Sequence, residues 1–256
     1  MPLLRFLGLR IASSLFALLI ITIIVFLLSH LSGNPVDALL PDDATQEQVD
    51  TFIRDWGLDE PLWQQYLTFL KNALQGDFGT SLKWPGQDAM GFVLDRMPAT
   101  LQLGGLAILI SVVIALPLGV AAAVYKGTLI DSGAQTFALL GQSMPNFWLG
   151  IILIWVFSVW LGWFPTSGMG TLSHAVLPAI AIAWFQISAL ARLTRSAMLE
   201  VLDAEYIKLA RVKGVSETKV VWKHALRNAA VVPLTYFGIL AASILTGSVV
   251  IETVFS

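Results

Sequence analysis

The chain contains no cysteine, which removes disulfides, thiolate metal sites and cysteine nucleophiles from consideration. It is also short of charge. Only 12% of its 256 residues are Asp, Glu, Lys or Arg, about half the roughly 25% of an ordinary soluble domain. With so few ionic groups there is no polar coat to face water. Together with 56% hydrophobic residues and a mean hydropathy of +0.76, this makes lipid the solvent for much of the chain. No Gly-x-x-x-x-Gly-Lys-Ser/Thr run is present to cradle nucleotide phosphates, so the usual ATP loop is missing. Neither His-Glu-x-x-His nor Gly-x-Ser-x-Gly occurs, and His30, His174 and His224 fall at ends of different apolar stretches. An intramembrane enzyme needs a nucleophile with its base, or metal ligands, facing one another at membrane depth, and those parts are not in view. A self-sufficient secondary transporter is favoured by Pro117, Pro145 and Pro178 as helix breakers, but opposed by the scarcity of acids and bases for ion coupling.

Four windows free of charged residues are long enough to cross a bilayer core about 30 Å thick: 11–36, 97–125, 132–191 and 228–251. The third is long enough for two crossings, and Gly162, Pro165 and the polar run Thr166–His174 supply turn residues where a hairpin needs them. Five spans are therefore expected, near 9–31, 100–125, 134–161, 176–200 and 229–254. The first could be mistaken for a secretory signal, since Arg5 and Arg10 precede it. Its apolar core is too long, and no Ala-x-Ala cleavage site follows. Repeats of small residues, Ala115/Gly119/Ala123, Gly238/Ala242 and Ser243/Gly247, are expected to let helices pack closely.

Charge sets the expected orientation, because carrying Lys or Arg through the bilayer centre costs about 2.5–3.5 kcal/mol each. Arg5 and Arg10 keep the N-terminus in the cytosol. Residues 33–98 then lie outside, with eleven acids against four bases. Residues 192–227 lie inside, with eight bases against four acids. This basic segment marks topology, and no nucleic-acid partner is expected. In the external region, Thr45-Gln-Glu-Gln48 is a capping-box pattern ahead of a helix ending at Gly57. A second helix is expected from Glu60-Pro61 to Gly76, the pair forming a cap on the outer membrane face. Asp131 and Glu252, near span ends, are read as surface or packing residues, and Trp155, Trp160, Trp163 and Trp184 as interfacial belt and packing.

Only the cytosolic segment 192–227 is both long and patterned, so it is where a soluble partner can act. Asp203 is the expected N-cap of a helix running through Glu205, Tyr206, Ile207, Lys208, Ala210, Arg211 and Lys213 to a stop at Gly214, with Ser216 capping the next helix. A helix of about ten residues is unstable alone in water, so it takes its order from neighbours or a partner. Tyr206, Ile207 and Ala210 are expected to fill a partner's groove while Lys208, Arg211 and Lys213 rim it. A solvated, positive-inside loop with no partner remains the alternative from pattern alone.

Specific residues then tip the balance. The chain carries Gly57-Leu-Asp-Glu-Pro-Leu62 with Gln65-Tyr66, Gly76-Asp-Phe-Gly-Thr-Ser81, Met97-Pro-Ala-Thr-Leu101, Ser143-Met-Pro-Asn-Phe-Trp148, Gly162-Trp-Phe-Pro165, Leu177-Pro178 and Arg192-x-x-Arg195-Ser196. It continues with Glu205 to Glu217, His224-Ala-Leu-Arg-Asn228 and Gly247-Ser-Val-Val-Ile-Glu252-Thr-Val-Phe255. In this order it resembles the dipeptide, oligopeptide and nickel branch of ABC importer permeases over essentially its whole length. The general motif of such importers is degenerate here: Lys208-Leu-Ala210 stands before Gly214 and His224-x-Leu226-Arg replaces the later part, as in that branch.

The resemblance implies an all-α polytopic bundle of the type I importer kind. Its parts would be a first helix over 1–32, a periplasmic region over 33–98, and a permease core over 99–256 with a coupling loop at 201–228. It implies a second homologous permease subunit, two cytosolic ATPases that bind ATP and Mg, and a periplasmic solute-binding protein, all working in membrane lipid. Residues 203–214 would dock into an ATPase cleft. The cargo would be a peptide or a similar small solute such as a nickel chelate. The family carries one more span beyond Ser256, so a sixth helix is expected to be missing from this sequence by truncation.

Overall fold

A computed structural model describes residues 2–31, 36, 40–41, 43–81, 86–246 and 249–256. Among these the ordered elements are all helices, with one isolated bridge between Thr80 and Asp88 in place of any strand. Contacts divide the chain into two units, Met1–Arg96 and Met97–Ser256.

In the first unit, α1 (Pro2–Leu31) is apolar on every side, and its large side chains from Leu4 to Leu31 are exposed along its length, as a helix solvated by acyl chains requires. The capping box forms at α2 (Gln46–Asp55): the Gln48 amide donates to Thr45 Oγ1, and the Thr45 amide donates to Gln48 Oε1 at 2.8 Å. Gly57, at φ 62°, ends that turn, and α3 (Leu62–Leu74) follows Pro61. Gln65 is the junction of this unit. Its amide nitrogen donates to the carbonyls of Leu58 and Glu60, and its Oε1 lies 2.9 Å from His30 Nε2. Thr22 and Tyr66 share a hydroxyl contact of 2.9 Å, so α3 is tied to α1 at two levels.

The long helix α4 (Ala89–Val124) leads into the second unit, where α5 (Leu129–Ser143) and α6 (Asn146–Leu153) come next. The stretch expected as a single span over 134–161 is two helices meeting at 103°. The cause is local: proline disfavours helical backbone in the residue before it, and Met144 is extended (ψ 126°) ahead of Pro145. After Leu153 the chain runs on in wider, π-type turns through Ile154–Trp160. Pro117 and Pro178, by contrast, lie inside the continuous helices α4 and α7 (Leu172–Leu202).

Beyond α7 come the short α8 (Glu205–Val212) and α9 (Glu217–Lys219), π-type turns over Val220–Ala225, then α10 (Leu226–Ala229), α11 (Val231–Thr246) and α12 (Val249–Phe255). Among the described residues three helices are long and apolar enough to cross a membrane, and five crossings result if each of two bent pairs counts as one. The second bent pair joins residues 217–229 to 231–242 at 54°.

α7 is the axis of this unit, because the buried clusters follow one another along it. Leu177 and Ala181 pack with Leu149, Leu153, Ile251 and Phe255. Ala179, Ala183, Ile187 and Leu190 pack with Ala107 and Ala115. Ala197 and Met198 pack with Val120, Ile207, Val220 and Ala225. Small residues allow the approach: a Cβ on Gly119 would sit 2.6 Å from the Ala191 carbonyl oxygen, and one on Gly141 would overlap Ser188 Oγ. The second small-residue pair behaves differently, since Gly238 and Ala242 are exposed. Gly247, of the third pair, lies outside the described residues.

Gly119→Val is expected to lower stability by about 1–3 kcal/mol through overpacking against backbone that cannot yield, read as a lower unfolding temperature in detergent. Gly105→Ala, with nothing within 4 Å of the added methyl, is the control and is expected to leave that temperature unlowered or to raise it slightly, because alanine is the better helix former.

Candidate functional site

The segment joining α7 to α11 is built around one apolar anchor. α7 keeps helical backbone through Asp203 (φ −85°, ψ −7°), and the chain turns extended one residue later at Ala204 (φ −68°, ψ 146°). Asp203 therefore closes α7 and is not the N-cap expected from the sequence. Ala204 occupies that place, its carbonyl accepting from the amides of Ile207 at 3.0 Å and Lys208 at 3.3 Å. At the other end Gly214 takes φ 76°, a conformation that costs other residues a Cβ clash. This lets the Val215 amide donate back to the Ala210 carbonyl at 3.2 Å.

The eight residues of α8 split into two faces. Ile207 has no solvent exposure and belongs to the cluster of Val120, Met198, Val220 and Ala225, with Ala210 packed at its edge. The expectation that Ile207 reaches into a partner's groove is corrected, because the side chain is spent on holding α8 to its own bundle. The face turned away carries Tyr206, Leu209 and Val212, spaced three apart and exposed, Val212 to 84%. Leu209 and Val212 were not singled out from sequence, although spacing from Tyr206 was the signal that could have found them.

Exposed cations surround this apolar strip. Lys208 Nζ sits 2.8 Å from Glu205 Oε1, and that hydrogen bond, with the charge behind it, holds the Glu205 carboxyl below and the Lys208 ammonium above their usual ranges. Arg211 reaches Glu217 with two bonds, of 3.1 and 2.7 Å, fastening the end of α8 to α9. Lys213 is exposed beside Gly214.

A second polar constellation lies on the α5–α7 seam. Asp131, read from sequence as a surface or packing residue, is buried. Its carboxylate accepts from Arg195 Nε at 2.6 Å and Nη2 at 2.8 Å, from the Gly127 amide at 2.9 Å and from Gln135 Nε2 at 2.9 Å. Two histidines have local partners: His174 bonds Thr171 Oγ1 at 2.8 Å, and within the first unit His30 sits against Gln65. Among the described residues no group of three or more His, Asp or Glu is placed to hold a metal ion.

Residues 115–256 match the family described as binding-protein-dependent transport system inner membrane component, and residues 3–104 match the N-terminal domain of such membrane components. The chain belongs to this family. The permease is similar to the oligopeptide transport system permease protein AppB of Bacillus subtilis (strain 168), 40% identical over 93% of this chain and 79% of that one. It is similar to the dipeptide transport system permease protein DppB of Lactococcus lactis subsp. cremoris (strain MG1363), 38% identical over 93% and 78%. The di/tripeptide transport system permease protein DppB of Pseudomonas aeruginosa (strain UCBPP-PA14) is 38% identical over 92% and 79%. The permease is thus the multi-pass membrane component of a transport system that works with a solute-binding protein and ATPases. The basic loop and its short helix fall inside the matched region.

Because the permease has no native cysteine, single cysteines report each face of α8 cleanly. Val212→Cys is expected to react with a maleimide at the rate of a free thiol, and Ile207→Cys to react only after unfolding. Ile207→Ala should cost about 2–5 kcal/mol, seen as faster amide exchange across 205–212, whereas Leu209→Ser should change stability by less than about 0.5 kcal/mol.

Proposed function

We propose that this permease is one of two homologous membrane subunits of an ATP-driven peptide importer, and that α8 is the helix through which partner ATPases move it. The observation that carries this reading is the division of α8: one face is locked into the bundle by Ile207, and the other leaves Tyr206, Leu209 and Val212 exposed. An unanchored helix of eight residues would unwind under load. A helix anchored on one side can accept a groove on the other and pass a push directly to α7, two residues upstream. Lys208, Arg211 and Lys213, with Glu205, edge the contact, and Asp203 and Gly214 set its ends. ATP and Mg bind to the ATPases and not to this chain, which itself performs no catalysis.

Orientation follows the charges. The N-terminus and α8 lie in the cytosol, and the acidic region 33–98 that carries α2 and α3 lies outside, on the side from which a binding protein delivers its cargo. Peptide cargo is supported by the transport systems named for the relatives.

In the complete importer, Leu209→Asp and Val212→Asp are expected to lower the amount of ATPase co-purifying with the permease by tenfold or more, a penalty of about 1.4 kcal/mol or greater. Wild-type recovery of ATPase with both variants would remove α8 from the interface. In whole cells, a membrane-impermeant thiol reagent should label Glu47→Cys and spare Val212→Cys. Labelling of Val212→Cys from outside would reverse the topology.

A further inference from the structure

A buried ion pair is weak evidence for stability, because apolar residues of the same volume often serve as well or better. Asp131 and Arg195 are such a pair, 64 residues apart, joined by two parallel hydrogen bonds with the carboxylate closed off from solvent. α5 meets α7 at Gly141 and Ser188, one end of the seam, where no further Cβ fits. Beside that contact a cavity of about 110 Å³ opens between α4, α5 and α7, lined by Gly119, Ala122, Gln135, Ala138, Arg192 and Arg195. The ion pair bridges α5 to α7 beside that space.

The position of Arg195 gives the bridge a purpose. It lies on α7 about two turns before Asp203, on the same stretch as Met198, which shares its buried cluster with Ile207 of α8. Any displacement of α8 is therefore delivered to the last turns of α7. The two-pronged guanidinium contact is a strong polar link from there to α5, and it resists rotation as well as separation. The far end of α5 is the Pro145 break, beyond which α6 turns away at 103°. We infer that Asp131 and Arg195 are positioning residues whose ion pair relays movement of α8 to the bent α5–α6 pair, the cavity beside it leaving α5 room to swing. The inference rests on α8 being the ATPase-docking helix.

The experiment uses the complete importer in lipid nanodiscs, with spin labels at Leu109→Cys on α4 and Leu140→Cys on α5, both exposed positions in a chain without other cysteines. The distance between the labels is measured before and after trapping with ATP and vanadate. In the wild-type background trapping is expected to shift this distance. In Asp131→Asn the shift is expected to be lost while the ATPases co-purify in wild-type amount and ATP is still hydrolysed. The charge-exchanged double variant Asp131→Arg/Arg195→Asp should regain part of the shift, which a general loosening of the bundle would not produce. A wild-type background without any shift, or Asp131→Asn shifting as fully as wild type, overturns the relay. If Asp131→Asn fails to assemble, Arg195→Lys, which keeps the charge but not the fork, decides by the same distance: a full shift overturns the relay and a diminished one supports it. Failure of the docking reading is distinguishable, since it would appear as Leu209→Asp retaining its ATPases.

Discussion

The packing of Ile207 among Val120, Met198, Val220, Val221 and Ala225 ties together four stretches that are distant in sequence: the end of α4, the end of α7, α8 and the turns after α9. Fully burying such a side chain is worth about 1.5–3 kcal/mol, enough to hold a helix too short to persist alone. Without it the loop would be a charged tether between two membrane helices. With it, α8 has a fixed height and a fixed outward face, and the cations along its rim have fixed places.

Above this anchor the bundle is organised by closeness. Gly119 and Gly141 bring α4 and α5 onto α7 at distances that exclude a methyl group, and the clusters on α7 are rich in alanine. In lipid, helices gain no hydrophobic drive from meeting one another, so fine-grained packing of this kind supplies the attraction. The outward surfaces of α1 and much of α11 are large and apolar, as lipid contact requires.

Much of this was legible in the residues alone. Caps and stops are local chemistry, so Thr45 with Gln48, and the positive-φ glycines Gly57 and Gly214, could be placed from a few neighbours. The two faces of α8 could not. Tyr206, Ile207, Leu209, Ala210 and Val212 are all apolar enough for either side, and which side is inner depends on where α7 and the turns after α9 lie. Asp203 misled because capping preference is a property of the residue, whereas the place where the helix breaks was decided by α7 continuing one residue further. The Asp131–Arg195 pair left a fainter trace. The two residues flank the same charge-free stretch, and folding that stretch into a hairpin returns its ends to one side, but pairing needs coordinates. The Pro145 break had its cause in plain view, yet a proline inside an apolar run can be absorbed, as Pro117 and Pro178 are.

That break carries a consequence for the solvent around it. Where α5 stops at Ser143 and α6 starts at Asn146, the last carbonyls of one helix and the first amides of the next lose their helical partners at the same level. Hydrocarbon offers nothing to such groups, and each one abandoned there costs several kcal/mol. Whether the bent pair crosses the bilayer or dips in and returns, the elbow at Met144 and Pro145 must therefore be wetted or sheathed by polypeptide, and acyl tails are shut out from it.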